Sequence, residues 1–398
     1  IERRSHRGTG ADRGVSAANG VYLAGPIECR VPGSIMPDTK SIHRLPPLAV
    51  PAGPAYPMRI LHVDNHQHRK YGYIRVSWAL KLYTGLIRAG HNVLAFSDRD
   101  VARFEAPLGI RELGKKKTNR RLLQTVDAFQ PELIVFGHCD LIDNETFAEI
   151  RRRHPDIILA ACNNDPLFVP RNAANIEKRC TIADAMFVST GPQELERFAG
   201  HRARLWHMPN PVDPSVDNAD ASSLAGNDPA LEADLLFCSN SRQHTERGQL
   251  VSTLREQLPA DFRFHTPGLY DQPTLWGLDY ERKLARSKMG LNLNRQEGLQ
   301  WYSSARIAQL AGNGLLVFTH AAARFDDFMP PETLAYFDDE ASLLAQVREF
   351  HHDDARRRHW AGNCRAFFHR EMNNTLYAQY IVEAATEQTF SHDYVWLK

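Results

Sequence analysis

Long apolar runs are absent from this chain of 398 residues, and so is any marked excess of charge. A membrane-spanning helix needs about 20 consecutive apolar residues, whereas the apolar runs here are short and bounded by polar residues. Lys and Arg number 48 against 47 Asp and Glu, which leaves a formal net charge of +1. We therefore expect a protein that neither spans a membrane nor binds nucleic acid. The length predicts two or three domains, each able to bury its own core.

Closely spaced cysteines are lacking as well. None of the six has the CxxC spacing that zinc or dithiol redox sites use, and a chain of this length without a clean signal peptide does not suit a secreted disulfide framework. The sequence thus predicts reduced, mostly buried thiols and a cytoplasmic location. The cysteines are Cys29, Cys139, Cys162, Cys180, Cys238 and Cys364.

Apolar periodicity is missing from residues 1–57, which hold eight of the 23 prolines and an Arg-rich start. Such a segment does not bury enough surface to offset the entropy of ordering, so a disordered leader is predicted. An alternative is that it is upstream translated sequence and that the natural start is Met58.

From Met58 onwards, short apolar runs alternate with amphipathic segments, the pattern of βαβ units in a parallel sheet. This predicts a Rossmann-like domain over residues 58–212. A break at 209–214 and a polar stretch to Asp228 predict a linker, after which the alternation restarts over 213–368 and ends in a helical segment rich in Arg and aromatic residues. Predicted strands are 59–63, 91–96, 132–137, 156–161, 185–189, 233–239, 262–265, 289–294 and 315–319, and predicted helices include 77–89, 247–257 and 304–311.

Two such domains facing each other place the carboxyl ends of both sheets around one cleft, where the site is expected. The turn after the strand at 233–239 presents Asn240 and Arg242, with Arg247 beyond it, and arginines here suit a phosphate. A polar turn with solvated arginines is the alternative.

The richest polar constellation runs from Asn292 to Gly298 and from Trp301 to Gly314. A buried strand delivers Asn294 to its carboxyl end, and Ser303 or Ser304 is predicted to cap the following helix. A cation such as Arg306 in a first helical turn opposes the helix dipole, which favours an anionic ligand or an internal carboxylate as its partner.

This second half resembles the group 1 glycosyltransferases of the two-domain GT-B type, specifically their spore-maturation-like branch. A serine precedes Arg306 in an R-x-x-(E)-x-x-x-x-G pattern that ends at Gly314; the strand 315–319 and the segment 336–340 follow. The likeness extends over about 233–381, and Gly72 to Arg75 with the G-H-x-V strand at 90–93 resembles the family's opening more weakly.

The resemblance implies an α/β fold of two Rossmann-like domains, with a C-terminal helix over 369–398 that crosses back to the first domain. It implies that Arg306 faces the donor diphosphate and that Gly314 allows close packing beneath it. It further implies a donor pocket lined by Asn294, Tyr302, Ser303, Ser304 and Gln309.

One position departs from the family pattern, because Gln309 stands where Glu is usual. That Glu is expected to bind the ribose hydroxyls, and an amide keeps the contact without the charge. Either the donor differs or activity is reduced. Glu297 is an alternative carboxylate, although its spacing is longer than the family's.

Acid–base candidates follow two strands of the first domain, His138 and Asp165, where catalytic groups of such sheets gather. A structural histidine and a turn-forming aspartate before Pro166 are the alternative. His66, Tyr71 and Gly72 are predicted acceptor contacts, with His62 and His68 in the same loop as weaker candidates and as an adventitious site for Zn²⁺ or Ni²⁺.

No obligatory metal is predicted. Asp98 and Asp100 resemble the D-x-D metal motif of the other glycosyltransferase fold, but two aspartates after a strand are common in turns.

Two basic clusters, 115–121 and 151–153, favour either a solvated helix face or peripheral contact with the inner leaflet of a membrane. The predicted function is metal-independent transfer of a sugar from a nucleotide-sugar donor to a hydroxyl on a glycan, a lipid-linked glycan or a small molecule. A nucleotide-sugar epimerase and a non-catalytic binding protein of the same architecture remain open, since a fold alone decides neither.

Overall fold

The computed structural model describes residues 57–70, 72, 74–239, 245–270 and 272–397. The predicted leader, apart from Pro57, lies outside the described residues. Within them, no helix is long and apolar enough to cross a bilayer. Five described cysteines carry free thiols, and four of these are buried: Cys139, Cys162, Cys180 and Cys364.

The first lobe is built on a six-stranded parallel sheet in the order β2-β1-β3-β4-β5-β6. Its strands β1 to β6 span Arg59–Asp64, Asn92–Ser97, Leu133–Phe136, Ile158–Asn163, Ala185–Val188 and Arg204–His207. Its helices α1 to α6 span Trp78–Arg88, Asp98–Glu105, Arg111–Phe129, Asn144–Arg153, Pro170–Cys180 and Pro192–Leu195.

The second lobe carries a five-stranded parallel sheet in the order β11-β10-β9-β7-β8. Strands β7 to β11 span Ala233–Leu236, Phe264–His265, Ser287–Asn292, Leu316–His320 and Leu334–Phe337. Helices α7 to α12 span Glu246–Gln257, Gly277–Ala285, Arg306–Gly312, Glu340–His352, Asp354–Glu371 and Asn374–Ala385.

Central strands such as β3, β5 and β7 are buried along their whole length. That is the expected pattern for a parallel sheet covered by helices on both faces, and it is why continuous apolar runs identified β3 and β5. Strand β7 also holds the buried Asp234, which pairs with Arg263 and Lys288. The α/β class with two Rossmann-like sheets is confirmed.

Several elements differ from the prediction. The edge strands β6 and β11 were not predicted, because β6 is only half-buried along most of its length and neither has the long apolar run of a central strand. The pair Asp98 and Asp100, predicted in a turn, instead forms the first turn of α2. His62, predicted in the loop after β1, lies inside that strand and is fully buried.

The last helix crosses back to the first lobe, as the resemblance implies. Helix α12 packs against α1 so closely that a Cβ at Gly85 would lie 2.1 Å from the Asn374 carbonyl oxygen. The Trp78 indole donates to the Tyr377 hydroxyl at 3.2 Å, and the Tyr380 hydroxyl donates to the His207 carbonyl at 2.8 Å.

The predicted linker is not a solvated tether. Lys81 of α1 pairs with Asp217 at 2.5 Å, and both side chains are buried. Arg88 bonds Asp213 at 2.7 Å, and Gly226 donates to Asp354 of α11 at 2.8 Å. Its polar composition therefore serves ion pairs and hydrogen bonds that fasten the connection to both lobes.

Candidate functional site

A cavity of about 330 Å³ lies between the two lobes, at the carboxyl end of β7. The first lobe contributes the segment 74–76 that precedes α1. The second contributes Ser239 after β7, Tyr280 of α8 and the start of α9. Donor residues predicted from the sequence that line it are Ser304, Arg306 and Gln309.

Arg306, the first residue of α9, is held by backbone rather than by a carboxylate. Its guanidinium donates to the Leu293 carbonyl at 3.0 Å and to the Cys238 carbonyl at 3.3 Å, and it lies 4.9 Å from the centre of the Phe237 ring. Burial lowers the pKa of Arg306. Two neutral acceptors orient this cation, and no carboxylate among the described residues forms a salt bridge with it, as suits an arginine that binds an anion.

Three arginines gather at this end of the second lobe: Arg247, Arg295 and Arg306. Arg247 also donates to the Leu293 carbonyl, at 3.4 Å. Burial, together with repulsion from Arg306 and Arg295, lowers the pKa of Arg247 to about 10. Like charges at short range disfavour their own charged forms, so a bound anion stabilises the cluster.

The loop between β9 and α9 is braced internally. Glu297 accepts from the Asn294 backbone at 2.8 Å and from the Asn294 side chain at 3.0 Å. The Asn294 amide also donates to the Tyr302 carbonyl at 3.2 Å. Glu297 is thus committed to shaping the loop, which argues against its serving as the substitute ribose-binding carboxylate.

Tyr302, at the end of this loop, is buried, and its burial raises the pKa of its hydroxyl to about 12. It interacts electrostatically with Arg247, Arg295 and Asp165.

Neither serine caps α9, contrary to the prediction. Ala305 occupies the capping position without a side-chain bond, and α9 has only seven residues. The Ser303 hydroxyl donates to Asn292 at 2.9 Å, which ties the loop to β9. Ser304 lines the cavity, and its buried hydroxyl has no partner within the described residues.

Gln309 joins the two lobes. Its Oε1 accepts from the Tyr280 hydroxyl at 2.6 Å, and its Nε2 donates to the Val76 carbonyl of the first lobe at 3.3 Å. A carboxylate has no donor for the second bond unless it is protonated. The hydrogen bond to the Val76 carbonyl therefore explains why Gln, rather than Glu, occupies this position.

Other predicted donor residues lie elsewhere. Gly314 has φ +77° and packs against 220–222, where a Cβ would lie 3.0 Å from backbone nitrogens, and it does not line the cavity. Asn240 and Arg242 fall outside the described residues, as does the predicted acceptor contact Tyr71.

A second cavity, of about 550 Å³, opens at the carboxyl ends of β3 and β4. His138 and Asp165 both line it, and His138 Nδ1 lies 3.1 Å from Asp165 Oδ2. The hydrogen bond between them raises the pKa of His138 and lowers that of Asp165. Arg295 from the second lobe lines the same cavity. The structure thus brings the predicted acid–base pair within reach of the arginine cluster.

The loop after β1 lies beside this region. His66 has its pKa lowered to about 4 by burial, and its Nε2 has no partner among the described residues. Gly72 is exposed with φ +86°. Neither residue lines the two cavities described above, so acceptor contact by His66 and Gly72 stays a prediction.

Carboxylates near β1 and β2 are engaged by backbone amides. Asp98 accepts from Leu141 N at 3.2 Å, and Asp100 accepts from His68 N at 2.8 Å. No group of three His, Cys, Asp or Glu able to hold a metal occurs within the described ranges.

Three contributors were missed from the sequence: Tyr280, Val76 and Arg295. Tyr280 lies on α8, an amphipathic helix whose apolar periodicity is the signal that indicates it. Val76 acts through its carbonyl, which no side-chain pattern reveals. Arg295 lies inside the polar stretch from Asn292 to Gly298, where its sequence position alone does not show that it reaches the first lobe.

Residues 242–383 match the family described as glycosyl transferase-like. The fold is that of the GT-B glycosyltransferases. A sucrose-phosphate synthase from Thermosynechococcus elongatus superposes with a TM-score of 0.60 at 13% identity, covering 83% of this chain and 98% of its own. Anabaena HepE in complex with UDP-glucose superposes with a TM-score of 0.56 at 14% identity, covering 83% and 100%.

A UDP-forming α,α-trehalose-phosphate synthase from Burkholderia xenovorans is similar as well, with a TM-score of 0.52 at 12% identity and coverage of 83% and 99%. No curated protein matches the chain in sequence at a significant level. These likenesses establish the GT-B architecture, and the match over 242–383 places a glycosyltransferase-type domain in the second lobe.

Proposed function

We propose that this protein is a glycosyltransferase that binds a nucleotide-diphosphate sugar in the cavity between its lobes and transfers the sugar to an acceptor hydroxyl. The observation that carries the proposal is Arg306, which lines the donor cavity, with Arg247 donating to the same Leu293 carbonyl and Arg295 lining the second cavity. A diphosphate is the anion that such a cluster suits, because arginine forks bind phosphate oxygens with two parallel bonds.

The reaction breaks the bond between the anomeric carbon and the diphosphate oxygen and forms a bond from that carbon to the acceptor oxygen. Negative charge develops on the departing diphosphate, where Arg306 stabilises it. The acceptor proton passes to His138, whose Nδ1 proton is directed at Asp165 so that Nε2 is the basic nitrogen.

Positive charge at the diphosphate comes from arginine side chains in this proposal, so no metal is required. We expect activity to survive a chelator. The finer placement in the spore-maturation-like branch and a cytoplasmic location remain predictions.

The acceptor is a glycan, a lipid-linked glycan or a small molecule bearing a hydroxyl, bound in the cavity at His138 and Asp165. A separate cavity of about 550 Å³ favours transfer over epimerisation, since an epimerase needs no acceptor. The alternative of a non-catalytic binding protein depended on Gln309 standing where Glu is usual. The hydrogen bonds of Gln309 to Tyr280 and Val76 explain this residue without a loss of activity. For a lipid-linked acceptor, peripheral contact with the inner leaflet completes the proposal.

The test is a thermal-shift panel of UDP, GDP, ADP, CMP and dTDP on the full chain, with and without EDTA. UDP is the first expectation because HepE was solved with UDP and with UDP-glucose. A ligand at 100 times its Kd stabilises the folded state by about 2.7 kcal/mol, which is easily measured. Stabilisation by one diphosphate that persists in EDTA supports the proposal. No shift with any nucleotide would overturn it.

A further inference from the structure

The cavity at the carboxyl ends of β3 and β4 carries an excess of positive charge. Besides His138, four basic side chains line it, three from α5 and one from the second lobe. Within the described residues, none of these four forms a salt bridge with a carboxylate. We call them the cation set: Arg171, Lys178, Arg179 and Arg295.

The carboxylates of this cavity already have partners of their own. Asp140 pairs with Arg99 at 2.9 Å, and Asp165 lies 3.1 Å from His138. The hydrogen bond with His138 lowers the pKa of Asp165, and Arg295 adds to that effect without a salt bridge. Two engaged carboxylates against four cations leave the lining with a net positive charge. A ligand for this cavity is therefore expected to be an anion.

Arg179 is the member of the cation set that is most deeply buried, with only 4% of it exposed. Its guanidinium donates to the Cys139 carbonyl at 3.0 Å and lies 5.1 Å from the centre of the Phe147 ring. Its Nε is buried and has no hydrogen-bond partner among the described residues. A carbonyl and a ring orient a cation but do not neutralise it, and a buried charge without a partner is costly. An anion in the cavity supplies the missing counter-charge.

Helix α5 presents one face and its amino end to the cavity. Arg171, Asn175 and Lys178 recur at spacings of four and three residues, which places them on that face. The helix begins at Pro170, and Val169, which precedes it and lines the cavity, makes no side-chain cap. The first turn holds no acidic residue. Since a cation such as Arg171 in a first turn opposes the helix dipole, both the dipole and the side chain favour a bound anion.

Amide side chains also line the cavity. They come from the start of α4, from the end of β4 and from α5: Asn144, Asn163, Asn172 and Asn175. Asn144 Oδ1 is buried and has no hydrogen-bond partner within the described part of the chain. An amide both donates and accepts, which matches a ligand rich in hydroxyls. The cavity therefore combines a site for an anion with groups suited to a sugar or another polyol.

We propose that this cavity binds an acceptor that carries an anionic group, a phosphate monoester or a carboxylate, close to its reacting hydroxyl, and that the cation set holds that group. Arginine binds the oxygens of either group through paired hydrogen bonds. In the proposed function the donor diphosphate occupies the other cavity, at Arg306. The binding of an anion at the cation set does not depend on the proposed function, whereas the role of that anion as the acceptor rests on it.

The anionic group takes no part in the bond changes of the transfer. The acceptor hydroxyl gives its proton to His138, and its oxygen bonds to the anomeric carbon. The bond from that carbon to the diphosphate oxygen breaks, and its electron pair stays on the diphosphate. Holding the anionic group positions the hydroxyl beside His138, which lines the same cavity. A neutral acceptor leaves the cation set without a counter-charge, so the site selects by charge.

Calorimetry on the full chain tests the anion site. The probes are the 6-phosphates and the uronates of glucose, galactose and mannose, each compared with its neutral parent sugar. We expect at least one anionic probe to bind at least about tenfold more tightly than its parent, since hydrogen bonds to charged groups are the strong ones. Tighter binding of the phosphates or of the uronates identifies which anionic group the site takes.

Substitutions in the cation set locate the binding. Arg171→Gln with Lys178→Gln should weaken binding of the anionic probe by about tenfold or more and leave the UDP-induced thermal shift unchanged, which verifies folding. Arg179→Met should weaken it as well. If Arg179 had only a structural role, that change would lower the melting temperature and leave the affinity for the probe unchanged. Lys116→Gln with Arg120→Gln, exposed cations of α3 outside the cavity, is the matched control and should leave binding unchanged.

Equal affinities for every anionic probe and its neutral parent would overturn the proposal. So would an anionic probe whose affinity the cation-set variants leave unchanged, or one that saturating UDP displaces, because that probe would occupy the donor cavity. In a transfer assay with UDP-glucose, preference for a neutral parent over its anionic forms would refute the acceptor class. Anion binding without a UDP-induced shift would refute the proposed function and not the anion site.

Discussion

Replacement of Gln309 by Glu tests how the two lobes are joined. The change removes the donor to the Val76 carbonyl and places two acceptor oxygens about 3.3 Å apart at a site that is 9% exposed. The lost hydrogen bond costs about 1 kcal/mol, and a buried acceptor facing another acceptor adds about 1 to 3 kcal/mol. A stronger bond from Tyr280 and attraction to Arg306, one turn away on α9, offset about 1 kcal/mol.

We therefore expect Gln309→Glu to lower the free energy of unfolding by about 1 to 3 kcal/mol at pH 7. Burial raises the pKa of the new carboxyl, so the loss grows as the pH rises from the unfolded value of about 4.3 towards the higher folded value. Near pH 4 the protonated carboxyl donates to Val76 and the difference should shrink.

Urea unfolding at both pH values measures this effect, with Gln249→Glu on the exposed face of α7 as the matched control. The control should change stability by less than about 0.5 kcal/mol. If Gln309→Glu were as stable as the unchanged chain at pH 7 and bound UDP more tightly, the amide would not be a bridge between lobes. A glutamate at position 309 that binds the ribose hydroxyls of the nucleotide would then explain the result.

Three further outcomes are expected. Arg306→Met should weaken UDP binding, measured by calorimetry, by about 10- to 100-fold, since a hydrogen bond to a charged group contributes about 1.5 to 3 kcal/mol. The control Arg286→Met should leave the affinity for UDP unchanged. Equal affinities of the Arg306 variant and the unchanged chain would show that Arg306 does not bind the diphosphate. Asp165→Asn should lower the NMR-determined pKa of His138, which the hydrogen bond to Asp165 raises in the unchanged chain. While Asp165 stays ionised, the stabilisation from this raised pKa is fully present below the unfolded pKa of His138 and is lost as the pH rises through the folded pKa. Lys81→Ala should lower the free energy of unfolding by about 3 to 5 kcal/mol, because the buried Asp217 carboxylate loses its counter-ion. A loss of less than about 1 kcal/mol in urea unfolding would contradict this prediction.

Much of the fold followed from local pattern. The buried strands β3 and β5 could be predicted because a strand covered on both faces is apolar throughout. Edge strands such as β6 lack that signal. At the site, the sequence placed His138 and Asp165 at the same edge of the sheet, since parallel strands end at one edge. Their contact at 3.1 Å is a finding of the structure.

The sequence by itself determined the class of fold and the edge of the first sheet at which His138 and Asp165 lie, because periodicity and residue type are local properties. Tertiary structure alone decided which groups meet across the lobes. Gln309 bonds a carbonyl 233 residues away, and Trp78 bonds a tyrosine 299 residues away. It also decided which basic residues are paired: Arg152 and Arg153 both bind Glu149, and Lys115 binds Asp143 across two helices. Such contacts depend on strand order and on the crossing of α12, which no local pattern encodes.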